Sequence, residues 1–252
     1  MRYRFALLLL VAFATLSVAD TRHTPRPVVV ELFTSQGCSS CPPADALLGQ
    51  LAERDSIIAL SLHVDYWNRL GWTDPFAQAQ FSDRQRNYAE VLEDDNPYTT
   101  GVYTPQIVVD GRYAVVGHVA GRVGAAIERA GDQAAWLRPR IVGDPAEHVH
   151  LPAAGQAVPG QPATVWLITY DDRHTTAVDS GENDGRELTN HHVVRSMRRI
   201  GTWHGKEVRL PLGLADTELA DRDAVVILVQ RGRAGAIIGA TEHRLGNDDA
   251  RR

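Results

Sequence analysis

Two cysteines, Cys38 and Cys41, stand three positions apart in the segment FTSQGCSSCPPAD, and the 252-residue chain contains no others. Thiols at Cys-x-x-Cys spacing tend to have a lowered pKa and to exchange readily with other disulfides. A disulfide between them would close a very short loop, and in the chain-entropy model such a loop contributes little to stability. The spacing therefore favours thiol–disulfide chemistry over a structural cross-link.

The first 19 residues predict an exported protein. In MRYRFALLLLVAFATLSVA, two arginines precede an apolar run, and small residues follow at the positions that a signal peptidase recognises. We expect cleavage after Ala19 and a periplasmic or secreted protein with no stable membrane anchor afterwards. Disulfides persist in such oxidising compartments. The formal charge of −5 and the lack of a basic run argue against a nucleic-acid partner.

The segments on either side of the cysteines predict a strand, a helix and a second strand. RPVVVELFT is β-branched and apolar, typical of a strand near residues 28–33, and SIIALSLHVD predicts another at 57–64. ADALLGQLAER has helical spacing, and the two prolines before it predict a helix that begins at Pro42 or Pro43. This order favours a parallel βαβ unit, with the cysteines at the carboxyl end of the first strand.

The rest of the chain changes character near residue 140. TPQIVVDGRYAVVGH predicts a hairpin with an Asp-Gly turn, and VAGRVGAAIERAG predicts a helix after it. Beyond that helix the sequence shows only short β-like segments separated by turns. We therefore expect a β-rich C-terminal domain, residues 140–244, built as a small antiparallel β-sandwich or β-sheet.

The complete order, β-α-β, a polar insert and then β-β-α, resembles the thioredoxin fold. The resemblance implies an α/β thioredoxin-like domain over residues 27–131, ahead of the β-rich domain. It also implies that Cys38 is the exposed nucleophile and Cys41 the resolving thiol. The Thr104–Pro105 bond would be cis, with Thr104 and Pro105 beside the cysteines in a substrate-binding position.

Four further segments resemble an uncharacterised family of secreted bacterial thioredoxin-like proteins. They are ELFTSQGCSSCPPAD, LHVDYWNRLGWTDPFA, YTPQIVVDG and GENDGRELTNHHVVR. This resemblance covers nearly all of the mature chain. It implies a fold and leaves the reaction open, including whether the cysteine pair acts as an oxidant, an isomerase or a reductant.

Two polar segments supply further candidate residues. Asp65 and Tyr66 follow the second strand, at the same sheet end as the cysteines, where they would either bind a substrate or belong to an ordinary aromatic core. His63, when charged, could stabilise a thiolate. Glu182 and Asn183, together with His191, would either reach the cysteine site or fix a turn and the contact between the two halves of the chain.

The sequence-based hypothesis is a thiol–disulfide oxidoreductase that acts on exported proteins bearing thiols or disulfides. It needs no cofactor and no metal. One alternative is a periplasmic copper(I) metallochaperone, in which the two cysteines and a histidine would hold the metal. The other is a binding module whose disulfide is inert.

Overall fold

The computed structural model describes residues 26–93, 101–133, 137–143, 146–154, 162–215 and 221–245. The predicted signal peptide, residues 1–19, lies outside the described residues. Within these ranges the strands are β1 (Val28–Thr34), β2 (Ile57–His63), β3 (Gln106–Val109), β4 (Tyr113–Val116), β5 (Arg140–Val142), β6 (His148–Leu151), β7 (Ala163–Val178), β8 (Arg186–Trp203), β9 (Val208–Pro211), β10 (Ala224–Arg231) and β11 (Ile237–Arg244). The helices are α1 (Pro42–Ala52), α2 (Ala79–Ala89) and α3 (Ala120–Gly131), with short 3₁₀ turns at Asn68–Leu70 and Gly181–Asn183.

One mixed eight-stranded sheet runs through both halves of the chain, in the order β11-β10-β7-β8-β2-β1-β3-β4. The two halves join where β2 runs parallel to β8, at the pair Ser61 and Val193. A second sheet has the order β5-β6-β9. The predicted fold class, a thioredoxin-like α/β domain followed by a small antiparallel sandwich or sheet, is therefore wrong. The ranges 27–131 and 140–244 stay a prediction as domains.

The sequence predicts short strands in the C-terminal half, whereas β7 and β8 are long. These strands contain 16 and 18 residues and pair antiparallel over most of that length. The second half of β7, residues 171–178, is mostly polar, and its side chains between 172 and 177 alternate between half-buried and exposed. Such a stretch looks like a turn in the sequence, but it extends the strand beyond the body of the sheet.

The local predictions around the cysteines are confirmed. Strands β1 and β2 pair in parallel, from Val28 opposite Ile57 to the ends of both strands. Helix α1 begins at Pro42, which leaves the cysteine loop ahead of it. Asp110 and Gly111 turn the β3–β4 hairpin with positive φ angles of 51° and 60°, and the N–H of Arg112 closes the turn on the carbonyl of Val109.

Apolar side chains cover both faces of the sheet, and one of the clusters contains residues from both halves of the chain. Helices α1 and α3 cover one face of the sheet, where Val30, Leu48 and Ile127 are buried. On the other face, Phe33 from β1 belongs to the same cluster as Val226 from β10. Among the described residues, no helix is long and apolar enough to cross a membrane. A single continuous sheet with a shared core therefore holds the cysteine loop.

Candidate functional site

Cys38 and Cys41 form a disulfide in the loop between β1 and α1, with Cα atoms 5.4 Å apart. The loop is a turn in which Cys41 N–H donates to the carbonyl of Cys38 at 3.2 Å. Cys41 caps the N-terminus of α1, and its own carbonyl accepts from the N–H of Ala44 at 2.8 Å. The disulfide therefore lies at the carboxyl end of β1, where the sequence predicts it.

The predicted exposure of Cys38 is wrong, because both cysteines have 0% exposed surface. Between them, Ser39 and Ser40 are exposed. A part of the chain that is distant in sequence lies against this loop. The turn that joins β7 to β8 folds back over the cysteine loop, and we call residues 179–185 the cap.

The cap holds the cysteine loop through hydrogen bonds from two side chains. The amide of Asn183, which is fully buried, donates to the carbonyls of Gln36 and Cys38 at 2.8 and 3.0 Å. The carboxylate of Glu182 accepts from the N–H and the hydroxyl of Ser39 at 3.0 and 2.7 Å, and these bonds lower the pKa of Glu182. Both open roles for Glu182 and Asn183 are therefore observed, because the same bonds reach the cysteine loop and join the two halves of the chain.

Gln36, two residues before Cys38, ties the loop to three other elements. Its side-chain amide donates to Thr176 and Asn190 at 3.0 Å each, so it contacts both β7 and β8. Its side-chain oxygen accepts from the indole N–H of Trp72 at 3.2 Å. Its backbone N–H donates to Asp74 at 2.8 Å. A buried glutamine with this many partners fixes the backbone that leads into the cysteines.

A buried group of ionisable side chains lies beside the start of α1. His63, at the end of β2, contacts the carboxylate of Asp74 through Nδ1 at 2.7 Å. Burial would lower the pKa of His63, but Asp74 and Asp45 together outweigh it and raise that pKa. Burial would raise the pKa of Asp74, but His63 and the backbone N–H groups of Gln36 and Phe76 lower it. His63 and Asp74 therefore form a buried ion pair.

Asp45 belongs to the same group, and its pKa is raised. It lies one helical turn after Cys41, its N–H donates to the Cys41 carbonyl at 3.1 Å, and it is 5% exposed. Burial raises its pKa from 3.8 to about 6, although His63 opposes the shift. Oδ1 of Asp45 and Nε2 of His63 are buried without a hydrogen-bond partner among the described residues.

The Thr104–Pro105 bond is cis, as predicted. Gln106 pairs with Phe33, near the end of β1, so Pro105 lies at the same end of the sheet as the cysteine loop. The Pro105 carbonyl accepts from the N–H of Gly117 at 2.9 Å, which fixes the approach to β3. That Thr104 and Pro105 face the sulfur atoms and bind substrate stays a prediction.

Asp65 and Tyr66 connect the end of β2 to α2. The Asp65 carboxylate accepts from the hydroxyl of Ser82 at 2.5 Å, and the Tyr66 hydroxyl donates to the side chain of Gln85 at 3.2 Å. Burial raises the pKa of Tyr66 to about 12. These contacts give both residues a role in holding α2, and their predicted substrate binding stays a prediction.

Trp67 and Trp72 lie beside the cysteine loop and the cap, whereas His191 does not. A Cβ added at Gly37 would contact Cβ of Trp67 at 3.5 Å, so Trp67 packs beside the cysteine loop. Trp72 bonds Gln36 and packs against Gly181 of the cap. His191 instead packs against Gly49 in the middle of α1, where a Cβ would approach its ring to 2.7 Å. His191 therefore supports the helix.

Sequence reasoning missed Asp45, Asp74 and Asn190. For Asp45 a signal was present, because helical spacing places it on the same side of α1 as Cys41. Asp74 lies in an irregular segment, where periodicity carries no information. Within the described ranges, no group of three or more histidine, cysteine or acidic side chains is arranged to hold a metal ion.

Fold and site together define a mixed-sheet protein with a buried, disulfide-bonded Cys-x-x-Cys beside a buried Asp–His–Asp group. Residues 29–230 match a family described as protein of unknown function (DUF1223), and the chain belongs to this family. The predicted membership of an uncharacterised family is thereby confirmed. Comparison with curated proteins gives no match.

Two solved structures are similar to this one. The X-ray crystal structure of protein AGR_C_4864 from Agrobacterium tumefaciens has a TM-score of 0.71 and 30% sequence identity, over 89% of this chain and 96% of that chain. HBP35 of Porphyromonas gingivalis has a TM-score of 0.56 and 14% identity, over 88% of this chain and 76% of that one. At that identity, the second likeness concerns the fold alone.

Proposed function

We propose that this protein is a thiol–disulfide oxidoreductase that acts on exported proteins through Cys38 and Cys41. One observation carries the proposal: the two cysteines form a disulfide at the N-terminus of α1, beside a buried carboxyl group whose pKa is close to neutral. A helix N-terminus stabilises a thiolate through its dipole and free N–H groups. A cis proline, Pro105, also directly precedes β3, the strand next to β1.

The reaction proceeds by exchange at sulfur. A partner thiolate attacks Sγ of Cys38, a new S–S bond forms, and the Cys38–Cys41 bond breaks with Cys41 leaving as a thiolate. A second partner thiolate then displaces Cys38, so the partner gains a disulfide and the protein retains two thiols. In the reverse direction Cys38 attacks a partner disulfide and Cys41 resolves the mixed disulfide.

In this scheme Asp45 accepts the proton of the Cys41 thiol and returns it. A thiol must lose its proton before it can attack, and Cys41 is buried away from solvent. Asp45 lies one turn along the same face of α1, and its pKa of about 6 lets it accept a proton at neutral pH and release it again. His63, charged and paired with Asp74, favours the ionised form of Asp45 and keeps its pKa from rising further.

Export to the periplasm or beyond the cell forms part of the same proposal. The motive is the arginine–apolar–small pattern of residues 1–19. Mature protein that begins after Ala19, found by mass spectrometry of the exported material, is the expected result. An intact Met1 on that material would contradict cleavage of the signal peptide and the proposed oxidising compartment.

Single cysteine variants should separate the two sulfur roles. With Cys41→Ser, Cys38 should accumulate a mixed disulfide with exported proteins, because no resolving thiol remains. With Cys38→Ser, trapping should be at least tenfold weaker, since Cys41 is the resolving thiol in this scheme and lies at the N-terminus of α1. Non-reducing gels of periplasmic extract, followed by mass spectrometry of the trapped species, provide the measurement. Trapping by neither variant would contradict the proposed exchange.

Replacement of both cysteines by serine should leave the protein folded. The disulfide closes a loop with a sequence separation of 3, so its closure entropy is small. We expect the free energy of unfolding to change by no more than about 2 kcal/mol, mainly through the altered packing of two small buried side chains. Urea unfolding of the reduced wild type provides the matched control. An unfolded double variant beside a folded reduced wild type would support a structural disulfide instead.

A further inference from the structure

The burial of the disulfide conflicts with exchange by direct attack. Cys38 and Cys41 have 0% exposed surface, yet a partner sulfur must come into contact with Sγ of Cys38 and approach along the S–S axis. The neighbouring Ser39 and Ser40 are exposed, so the loop itself faces solvent. The obstruction is therefore local, and any displacement that relieves it has to involve the residues that lie on the loop.

The cap lies on the loop and is held there by a small number of side-chain hydrogen bonds. Apart from the bonds of Glu182 and Asn183, the hydroxyl of Ser180 donates to the carbonyl of Gly71 at 3.0 Å. Ser180 is half-buried and Glu182 is exposed, so water can replace their bonds on opening. The buried amide of Asn183 provides the firmest attachment, and Arg186 holds its oxygen at 2.7 Å.

Glycines at two positions of the cap allow its backbone to change conformation. Gly181 and Gly185 have φ angles of 76° and 73°, in a region that residues with a side chain rarely adopt. A Cβ at Gly181 would lie 3.1 Å from Cβ of Trp72, so the cap backbone also makes a close approach to that residue. No described heavy atom comes within 4 Å of the Cβ position at Gly185, which leaves that end of the cap room to move.

The groups that the cap covers are those of a polypeptide backbone. The carbonyls of Gln36 and Cys38 accept from Asn183, and the N–H of Ser39 donates to Glu182. An extended chain carries alternating N–H and C=O groups, so it can satisfy these acceptors and this donor in the same way. Removal of the cap without a replacement would leave them to water.

We propose that the cap occupies the position of an extended, cysteine-bearing segment of a partner protein, which must displace it to reach Cys38. This inference rests on the proposed function and adds the kind of partner: an unfolded or locally extended chain. A folded protein with a surface cysteine should react more slowly, because its backbone groups are already paired and cannot replace the bonds of Asn183 and Glu182. Attack by the partner thiolate on Sγ of Cys38 then releases Cys41 as a thiolate, and the proton of the partner thiol passes to solvent.

The rate of reduction of the oxidised protein by dithiothreitol tests the cap. With Asn183→Ala, the disulfide should be reduced about tenfold faster, the change expected when buried hydrogen bonds are lost. Glu182→Gln should accelerate reduction by about threefold, because a neutral amide accepts more weakly from Ser39. Glu187→Gln, which alters an exposed carboxylate of β8 near the cap, should leave the rate unchanged.

Thiol alkylation followed by mass spectrometry gives the rates, and circular dichroism shows that each variant is folded. If Asn183→Ala fails to fold, Glu182→Gln still decides the outcome, since its side chain is exposed. Rates equal to wild type in the folded cap variants would overturn the proposal. Dithiothreitol acts whatever the natural partner is, so this result is independent of the trapping experiment that tests the proposed function.

A second measurement tests the kind of partner. Oxidised wild-type protein should form a mixed disulfide at least tenfold faster with an unstructured peptide that contains one cysteine than with a folded protein that exposes one cysteine of similar pKa. In Asn183→Ala this preference should shrink to less than threefold, because the cap is then more easily displaced by either partner. If the wild-type protein reacts equally fast with the peptide and with the folded protein, the assignment of an extended partner is wrong.

Discussion

At pH 8, Asp45→Asn is expected to raise the free energy of unfolding by about 3 kcal/mol. The pKa of Asp45 is raised from 3.8 to about 6, chiefly by burial, and each unit corresponds to about 1.4 kcal/mol. Asparagine has nearly the same shape as the protonated acid but never carries the charge. The variant therefore avoids the cost of an ionised carboxyl group in a buried position.

The sign of this effect depends on pH. The folded state holds the proton more tightly than the unfolded chain, so Asp45 lowers stability as pH rises from about 4 to about 6. Below pH 4 the carboxyl group is protonated in both states, and wild type and variant should have equal stability. Above pH 6 the full difference should be present, with His63 and Asp74, and more distantly Arg195, as the other charged groups that act on the cluster.

Urea unfolding at pH 3.5 and pH 8 measures this difference. Asp55→Asn provides the control, because Asp55 is exposed and follows the same helix, and its stability difference should stay below about 0.5 kcal/mol at both pH values.

Resolution of a mixed disulfide on Cys38 should become about 100-fold slower in Asp45→Asn, the usual effect on rate of losing a proton acceptor. A variant with wild-type resolution and wild-type stability at pH 8 would show that Asp45 is neither buried in its charged form nor part of the exchange.

The sequence predicts the elements next to the cysteines because their signals are local. The period of ADALLGQLAER, the prolines at its start and the Asp110-Gly111 turn each involve only neighbouring residues, and each is found in the structure. The joining of the halves depends on a contact between distant residues, Ser61 and Val193. Nothing in either strand alone indicates that β8 will pair with β2, so the single sheet could not be predicted.

The candidate site divides in the same way. The cysteine pair and the cis bond before Pro105 follow from motif and order along the chain. The burial of Cys38 does not, because Asn183 reaches its carbonyl from 145 positions away. Asp74 comes to His63 from an irregular segment, where spacing predicts no direction for a side chain. Long-range contacts therefore decide what the motif can react with.

Glu31→Gln is expected to lower the free energy of unfolding by about 3–5 kcal/mol. The Glu31 carboxylate is fully buried in β1 and accepts two bonds from the Arg84 guanidinium of α2, at 2.6 and 3.0 Å. The Tyr88 hydroxyl donates to the same carboxylate at 2.6 Å, and Arg84 also donates to Gln230 of β10 at 3.1 Å. Loss of the negative charge leaves a buried guanidinium without its counter-ion, which is strongly destabilising.

Arg84 cannot avoid this destabilisation by losing its charge. Burial would lower its pKa, but Glu31 and Tyr88 together outweigh burial and raise it. A guanidinium does not deprotonate in proteins, so in Glu31→Gln the charge has to remain buried or α2 has to separate from the sheet. Separation would open the cluster of Phe33 and Phe81 that the two halves share. The same network therefore ties β1 to α2 and β10.

Urea unfolding at pH 7 compares three variants. Asp83→Asn is the matched control, because Asp83 pairs with Arg86 on the exposed side of the same helix, and it should cost less than about 1 kcal/mol. The double variant Glu31→Gln with Arg84→Met should be more stable than Glu31→Gln alone, since it removes the charge left without a partner. If the two substitutions instead add to a larger loss, the uncompensated guanidinium is not the source of the destabilisation, and hydrogen bonding by Tyr88 and Gln230 would hold α2 against the sheet.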